Sequence, residues 1–295
     1  MAGLSVLIPV YNRPVASLVA ALLAQAAQWP GPVEVCLLDD ASQPETQQQN
    51  RLLAALPGVV YRELPGNVGR AAVRNQLAAS ARYPWLLLLD NTGEIPDGQF
   101  LARYAAALGV APVLAGGVSY AAQPPAAPAH YLRWHYGRAR EARSLVQRQA
   151  APYAQLLVNN LLIEKELLLR FPLDETLQGY GHEDTKLGWQ LAAAQVPVLH
   201  LDNPVLHSGL EDAAAFLDKT RQGVRNLARL LHAEGLGADT RLVTLALRLR
   251  RLGLGAAAQL MLAAAEKPLR RQLLGPAPSL AALDALKLRW LLAAL

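Results

Sequence analysis

The stretches LSVLIPVYNRP at residues 4–14 and VEVCLLDDAS at residues 33–42 decide the fold. Leu4–Pro9 and Val33–Leu38 are short apolar runs without polar alternation, the pattern of strands buried on both faces. Between them, Val15–Ala27 carries Leu and Ala at helical spacing. The same alternation continues outward. Gln43–Leu56 reads as helix, Val59–Leu64 as strand, Arg70–Ala81 as helix and Trp85–Leu89 as strand. Strand and helix in strict alternation imply an α/β domain with a mostly parallel sheet flanked by helices. Polar residues stand just past the strand ends: Tyr11 and Asn12, Asp39 and Asp40, Asp90 and Asn91. Open α/β sheets bind ligands outside the carboxyl ends of their strands, so Asn12, Asp40 and Asp90 mark a predicted site.

Farther along, Gln123–Pro128 (QPPAAP) must be a loop. Residues 131–150, rich in Arg and aromatics, read as a flap. Leu161–Leu169 and Asp184–Ala194 read as helices and Val196–Leu201 as a late strand. Beyond Glu211 the pattern is helical, with breaks near Gly235–Gly237, Gly253–Gly255 and Gly275–Pro278.

Hydrophobic residues make up 53% of the 295 residues, enough to bury a sizeable core and to exclude global disorder. The single cysteine, Cys36, excludes an internal disulfide and a thiolate zinc cluster, and fits a reducing compartment. The start of the chain has no basic region or cleavage site of a signal peptide, and no long apolar stretch is free of charge. The expected location is cytoplasmic. The net charge of +5 is unevenly spread: residues 211–295 hold 13 Lys/Arg against 7 Asp/Glu. Such a segment is either a solvated Arg-rich surface or a contact for an anionic partner. Nucleic acid is not expected, because no recognition signature or zinc finger accompanies the charge.

Five strings in order, LSVLIPVYNRP, VCLLDDAS, GNVGRAAVRN, LLLLDNT and GYGHEDTKLGWQL with the later HLDNPVLHSGLE, resemble a family 2 glycosyltransferase of GT-A fold. The resemblance runs over roughly residues 4–210. It implies a domain over 1–210, with 1–122 as the nucleotide-sugar-binding half and 123–210 as the acceptor half. Residues 211–295 then form a basic helical extension. The implied activity is inverting transfer of a sugar, with a UDP-linked donor expected, to a hydroxyl of a glycan or lipid-linked acceptor. The alternative is a degenerate relative that binds nucleotide sugars without catalysis.

Each motif also has its own chemistry. A carboxylate at Asp39 or Asp40 can accept a base imide N–H or a ribose hydroxyl, or can simply cap the next helix. By resemblance Asp40 contacts the base, with Pro9 and Tyr11 lining the same pocket. Gly66 and Gly69 permit a tight turn, and Arg70 and Arg74 stand one helical turn apart, able to neutralise diphosphate or to be solvated. By resemblance Asn67, Gly69 and Arg74 belong to the donor site. Asp90-Asn91-Thr92 occupies the place of the family's Asp-x-Asp motif, which holds Mn²⁺ or Mg²⁺ through hard oxygen ligands. Thr92 here replaces the second acid. His207 is either structural or, as the resemblance implies, a metal ligand with Asp90. Glu183 and Asp184 open a helix whose dipole favours negative charge. By resemblance Asp184 is the general base and Glu183 an acceptor contact. Tyr180 and Trp189 can stack on an acceptor sugar or pack in a core. The C-terminal helices suit an anionic membrane surface, a packing module or a homodimer interface.

Overall fold

The computed structural model describes residues 2–154, 156–177 and 179–295. The chain divides into two compact units that interleave in sequence. The first takes residues up to 121, then 140–176 and 183–209; the second takes 122–139, 177–182 and 210–295.

The first unit is built on a seven-stranded sheet. β1 (Leu4–Val10) is flanked in parallel by β2 (Val33–Asp39) and β4 (Trp85–Leu89), and β3 (Val59–Glu63) runs parallel outside β2. Beyond β4 come β8 (Asn160–Glu164), β6 (Val113–Ala115) and β9 (Val198–His200), giving the order β3-β2-β1-β4-β8-β6-β9. β8 is antiparallel to both neighbours, while β6 and β9 are parallel. The architecture is the mostly parallel, helix-flanked sheet that the alternation implies. A smaller sheet joins β5 (Gly93–Glu94), β10 (Val205–His207) and β7 (Val118–Ser119). Its strands bring the chain just past Asp90 against the segment that ends at His207.

The buried apolar runs explain the sheet's centre. All five residues of β4 are buried, and in β1 only Pro9 is partly exposed. Helix α3 (Arg70–Ser80) covers them through Ala71, Val73, Leu77 and Ala78, which share one apolar face. Gly69 stands immediately before α3 with φ +90°, a conformation that favours glycine. The remaining helices of this unit are α1 (Ala16–Leu23), α2 (Pro44–Arg51), α4 (Phe100–Ala106), α6 (Leu145–Ala150), α7 (Lys165–Arg170) and α8 (Glu183–Ala193).

Two expectations need correction. The predicted helix over Leu161–Leu169 is a strand followed by a helix: Asn160–Glu164 forms β8, and α7 begins only at Lys165. Leu161, Leu162 and Ile163 face sheet neighbours on both sides, and a run this short carries no period of its own. Buried Asn160 fixes the strand. Its Oδ1 accepts from Tyr104 Oη at 2.7 Å, and its Nδ2 donates to Gly117 O and Asn203 O at 2.8 Å. Gly116 lets these groups converge, since a Cβ there would lie 2.3 Å from Asn160 Nδ2. The predicted flap over 131–150 consists instead of helical pieces, α5 (Tyr131–Tyr136), a π-turn at Gly137–Glu141 and α6, with Leu132, Trp134 and Arg148 buried. Arg148 is satisfied by the carbonyls of Ala115 at 3.1 Å and Leu201 at 2.9 Å.

The second unit is helical: α5, α9 (Ala213–Glu234), α10 (Arg241–Arg251), α11 (Gly255–Ala264), α12 (Glu266–Leu273) and α13 (Leu280–Ala294). Asp212 caps α9 by accepting from Ala215 N at 2.8 Å, and Gly235 ends it in the left-handed region. Leu283, Leu286, Trp290 and Leu291 of α13 are buried at the centre of this unit, where α13 packs on α9, α10, α11 and α12. Among the described residues no helix is long and apolar enough to cross a membrane.

Candidate functional site

The carboxyl ends of β1, β2 and β4 open onto a cleft of about 350 Å³, lined by Pro9, Tyr11, Asp40, Arg70, Arg74, Asp90 and neighbours. Five predicted site residues meet here: Pro9, Tyr11, Asp40 and Asp90 at the strand ends, and Arg74 from α3.

Other predicted residues support the cleft without lining it. Asn12, at φ +49°, ties two loops together: its N–H donates to Ser42 Oγ at 2.8 Å and its Oδ1 accepts from Gln43 N at 2.7 Å. Asp39 is fully buried and accepts from Ser42 N at 2.7 Å and Tyr61 Oη at 3.3 Å. Asp40, which does line the cleft, also holds the glycine turn, accepting from Val68 N at 2.7 Å and Gly69 N at 3.1 Å. Asn67 Nδ2 donates to the Asp40 carbonyl at 3.1 Å. A carboxylate has about four acceptor sites, so Asp40 keeps capacity for a ligand. Removing it strands two backbone donors, and Asp40→Ala is expected to lose about 1–3 kcal/mol of stability in denaturant unfolding. An unchanged midpoint with an unchanged slope would contradict that role.

The charged centre is built by α3 meeting the end of β4. Arg74, nearly wholly buried, donates from Nη2 to Asp90 Oδ1 and from Nη1 to Arg70 O at 2.9 Å. Its Nε is buried with no hydrogen-bond partner among the described residues. Arg70 lies 3.5 Å from Asp90 Oδ2 through Nη2 and donates from Nε to Glu183 Oε1 at 3.0 Å. It thus links the β4 end to the first turn of α8. Burial would raise the Asp90 carboxyl, but Arg74 and Arg70 override it and hold it down to about 2. Burial would likewise raise Glu183, yet the same two arginines bring it below the usual range. Asp184 goes the other way. Burial and the adjacent Glu183 carboxylate push it up to about 7.

His207 approaches this centre from β10. Its Nδ1 is 3.3 Å from Thr92 Oγ1, and it stands close enough to Asp90 that a protonated ring lowers that carboxyl. The Tyr120 ring lies 5.2 Å from the imidazole, and Tyr120 Oη donates to the Glu141 carboxylate. Glu141 also raises Asp184. Nothing in the sequence marks Tyr120 or Glu141. Trp189 is half-buried on α8, and Tyr180 belongs to the second unit, where Lys219 Nζ stands 5.3 Å from its ring centre. His200 is structural, buried against Pro152 O at 2.9 Å and Arg148 at 3.1 Å. Burial, with Glu34 beside it, pushes the Cys36 thiol up to about 12, so it is inert at neutral pH.

Among the described residues no three His, Cys, Asp or Glu side chains gather as a metal cage. Asp90, His207 and the Thr92 hydroxyl form a partial set of hard oxygen and nitrogen donors. Such a set fits Mg²⁺ or Mn²⁺ that relies on substrate phosphates for its remaining ligands. The charges agree, because Arg70 and Arg74 are balanced by Asp40 and Asp90 in the cleft lining. An entering diphosphate therefore brings uncompensated negative charge.

A family model described as glycosyl transferase family 2 matches residues 5–154. No curated protein matches the sequence significantly. Among solved structures, the chain resembles the mannosyltransferase PcManGT from Pyrobaculum calidifontis in complex with GDP-Man and Mn²⁺. The TM-score is 0.56 at 18% identity, covering 96% of this chain and 78% of that one. It also resembles S. aureus TarS 1-349, with a TM-score of 0.51 at 16% identity, covering 97% and 89%. The complex of that protein with UDP gives 0.52 at 17% identity, again covering 97% and 89%. At these identities the likeness is one of fold, and it is the GT-A fold.

Proposed function

The chain belongs to glycosyl transferase family 2, and from that premise we propose that it is an inverting transferase that moves a sugar from a nucleoside diphosphate donor to an acceptor hydroxyl. The observation that carries this reading is the link made by Arg70, from the cleft residue Asp90 to Glu183, the neighbour of Asp184. The donor nucleotide takes the cleft beside Tyr11 and Asp40. Arg74 and Arg70 offer guanidinium N–H groups to the diphosphate, exchanging part of their hold on Asp90 for phosphate oxygen. The acceptor hydroxyl lies by α8, where Asp184 removes its proton as the oxygen attacks the anomeric carbon. The bond from that carbon to the diphosphate breaks, and the configuration inverts. A base near neutrality suits that task, since it is both ionised and basic enough to be useful. Glu183, kept ionised by arginine, positions the acceptor. Asp90 and His207 would hold a divalent ion, which would supply positive charge to the leaving diphosphate.

The solved relatives contain GDP-Man in one case and UDP in another, so the base is the first thing to test. A UDP-sugar is the expected donor, and a glycan or lipid-linked alcohol the expected acceptor. Calorimetric titration with UDP, GDP and their sugars, with and without Mn²⁺, tests the reading. Tight binding of one diphosphate, strengthened by Mn²⁺ in the parent but not in His207→Ala, is the expected result. Failure of every nucleotide to bind under either condition would overturn the reading. Thr92 favours one competitor, a binder that no longer catalyses. Turnover of the bound donor in the presence of Mn²⁺ separates the two.

A further inference from the structure

We propose that α10–α12 form a docking surface for an anionic lipid bilayer, on which α11 lies as an interfacial helix. This goes beyond the transferase reading and does not depend on it. Helix α11, GAAAQLMLAA over Gly255–Ala264, is predominantly apolar, yet none of its residues is buried. Leu260 is 74% exposed and Met261 70%, and Leu252 and Leu254 just before the helix are exposed as well. In a soluble helix of this composition one face is normally buried, so the exposed side chains point to an environment other than water.

The charge around α11 identifies that environment. Residues 241–278 hold seven Lys/Arg and one acid, Glu266, so the whole basic excess of residues 211–295 sits in this stretch. Glu266 is taken by Arg270 at 3.0 Å and Arg289 at 2.8 Å. Arg241, Arg248, Arg251, Lys267 and Arg271 are exposed and make no ion pair among the described residues. Three of these cations precede α11 and two follow it. An exposed apolar helix bracketed by free cations matches a surface with acyl chains below and anionic headgroups above. The protein then rests on one leaflet, since no helix of the described residues is long and apolar enough to cross. A second copy of the chain would meet the same five unpaired cations, and like charges oppose that contact.

Co-sedimentation of the full chain with vesicles tests the assignment. One set is phosphatidylcholine alone, and the other carries about a third phosphatidylglycerol. The expected result is binding to the anionic vesicles that falls about tenfold or more between low and high salt, with little binding to the neutral ones. The double variant Leu260→Ser/Met261→Ser and, separately, Arg248→Gln/Arg251→Gln should each weaken it several-fold. All four side chains are exposed, so both variants should unfold at the parent temperature and bind nucleotide as the parent does. Equal pelleting with both vesicles, or binding unaffected by either variant, overturns the proposal. So does a concentration-dependent dimer, seen by sedimentation, that is lost in Leu260→Ser/Met261→Ser while vesicles are ignored.

Discussion

Asp184→Asn is expected to lower sugar transfer by roughly 10²-fold or more while leaving nucleotide binding intact, the scale of a removed general base. The amide keeps the shape of the carboxylate and can still accept from Thr185 N, a bond of 2.7 Å in the parent. It cannot take a proton. The pH profile gives a second signature. Because burial and Glu183 push Asp184 up to about 7, kcat/KM in the parent should rise with pH through that region and then level off. The variant should lose that limb together with the rate. Stability should move the opposite way. A carboxyl whose folded pKa is raised favours the fold when protonated, and that advantage fades as pH climbs from the unfolded value, near 4, through about 7. A neutral amide escapes the loss, so Asp184→Asn should be at least as stable as the parent at pH 8. Parent-like transfer by the variant would refute the base assignment, whatever the stability showed.

The second large effect is on the fold. Asp90→Ala is expected to cost about 3–5 kcal/mol in denaturant unfolding, because it leaves a buried guanidinium without its counter-charge. The Arg74 side chain is 2% exposed and that of Asp90 17%. Arg70, nearer the surface, can turn to water; Arg74 cannot. The contribution of Asp90 has a defined pH window. With its pKa depressed to about 2, its stabilisation is complete above the unfolded value and is lost as pH falls through the folded one. The double variant Arg74→Met/Asp90→Asn should recover much of the loss, since no charge is then stranded. An Asp90→Ala protein that unfolds at the parent midpoint would mean that Arg74 is satisfied by other groups.

Local signals along the chain are enough to define the core of the first unit. β1, β2, β3 and β4, and the polar residues at their ends, were legible because a buried parallel strand needs a continuous apolar run. The chain turns where that run stops. α3 and α8 were legible for a related reason: helical spacing and a glycine or acidic start are local signals. The cleft residues Pro9, Tyr11, Asp40 and Asp90 follow from those strand ends, and Arg74 from the resemblance and its place on α3. The features that depend on packing lie at long sequence separation. β8 reads as a helix until β4 and β6 are placed beside it, since three apolar residues have no period. Glu141 and Tyr120 carry no motif, and reach the site only through the π-turn and the small sheet. Asp39 and Asp40 are identical in sequence, but one is spent on a loop and the other faces the cleft. Asp90, Glu183 and Asp184 are ordinary acids in the chain. The two arginines of α3 override burial and drive the first two down, while burial beside Glu183 drives the third up. Charge interactions depend on distance and on exclusion of water, and neither quantity exists until the chain is folded.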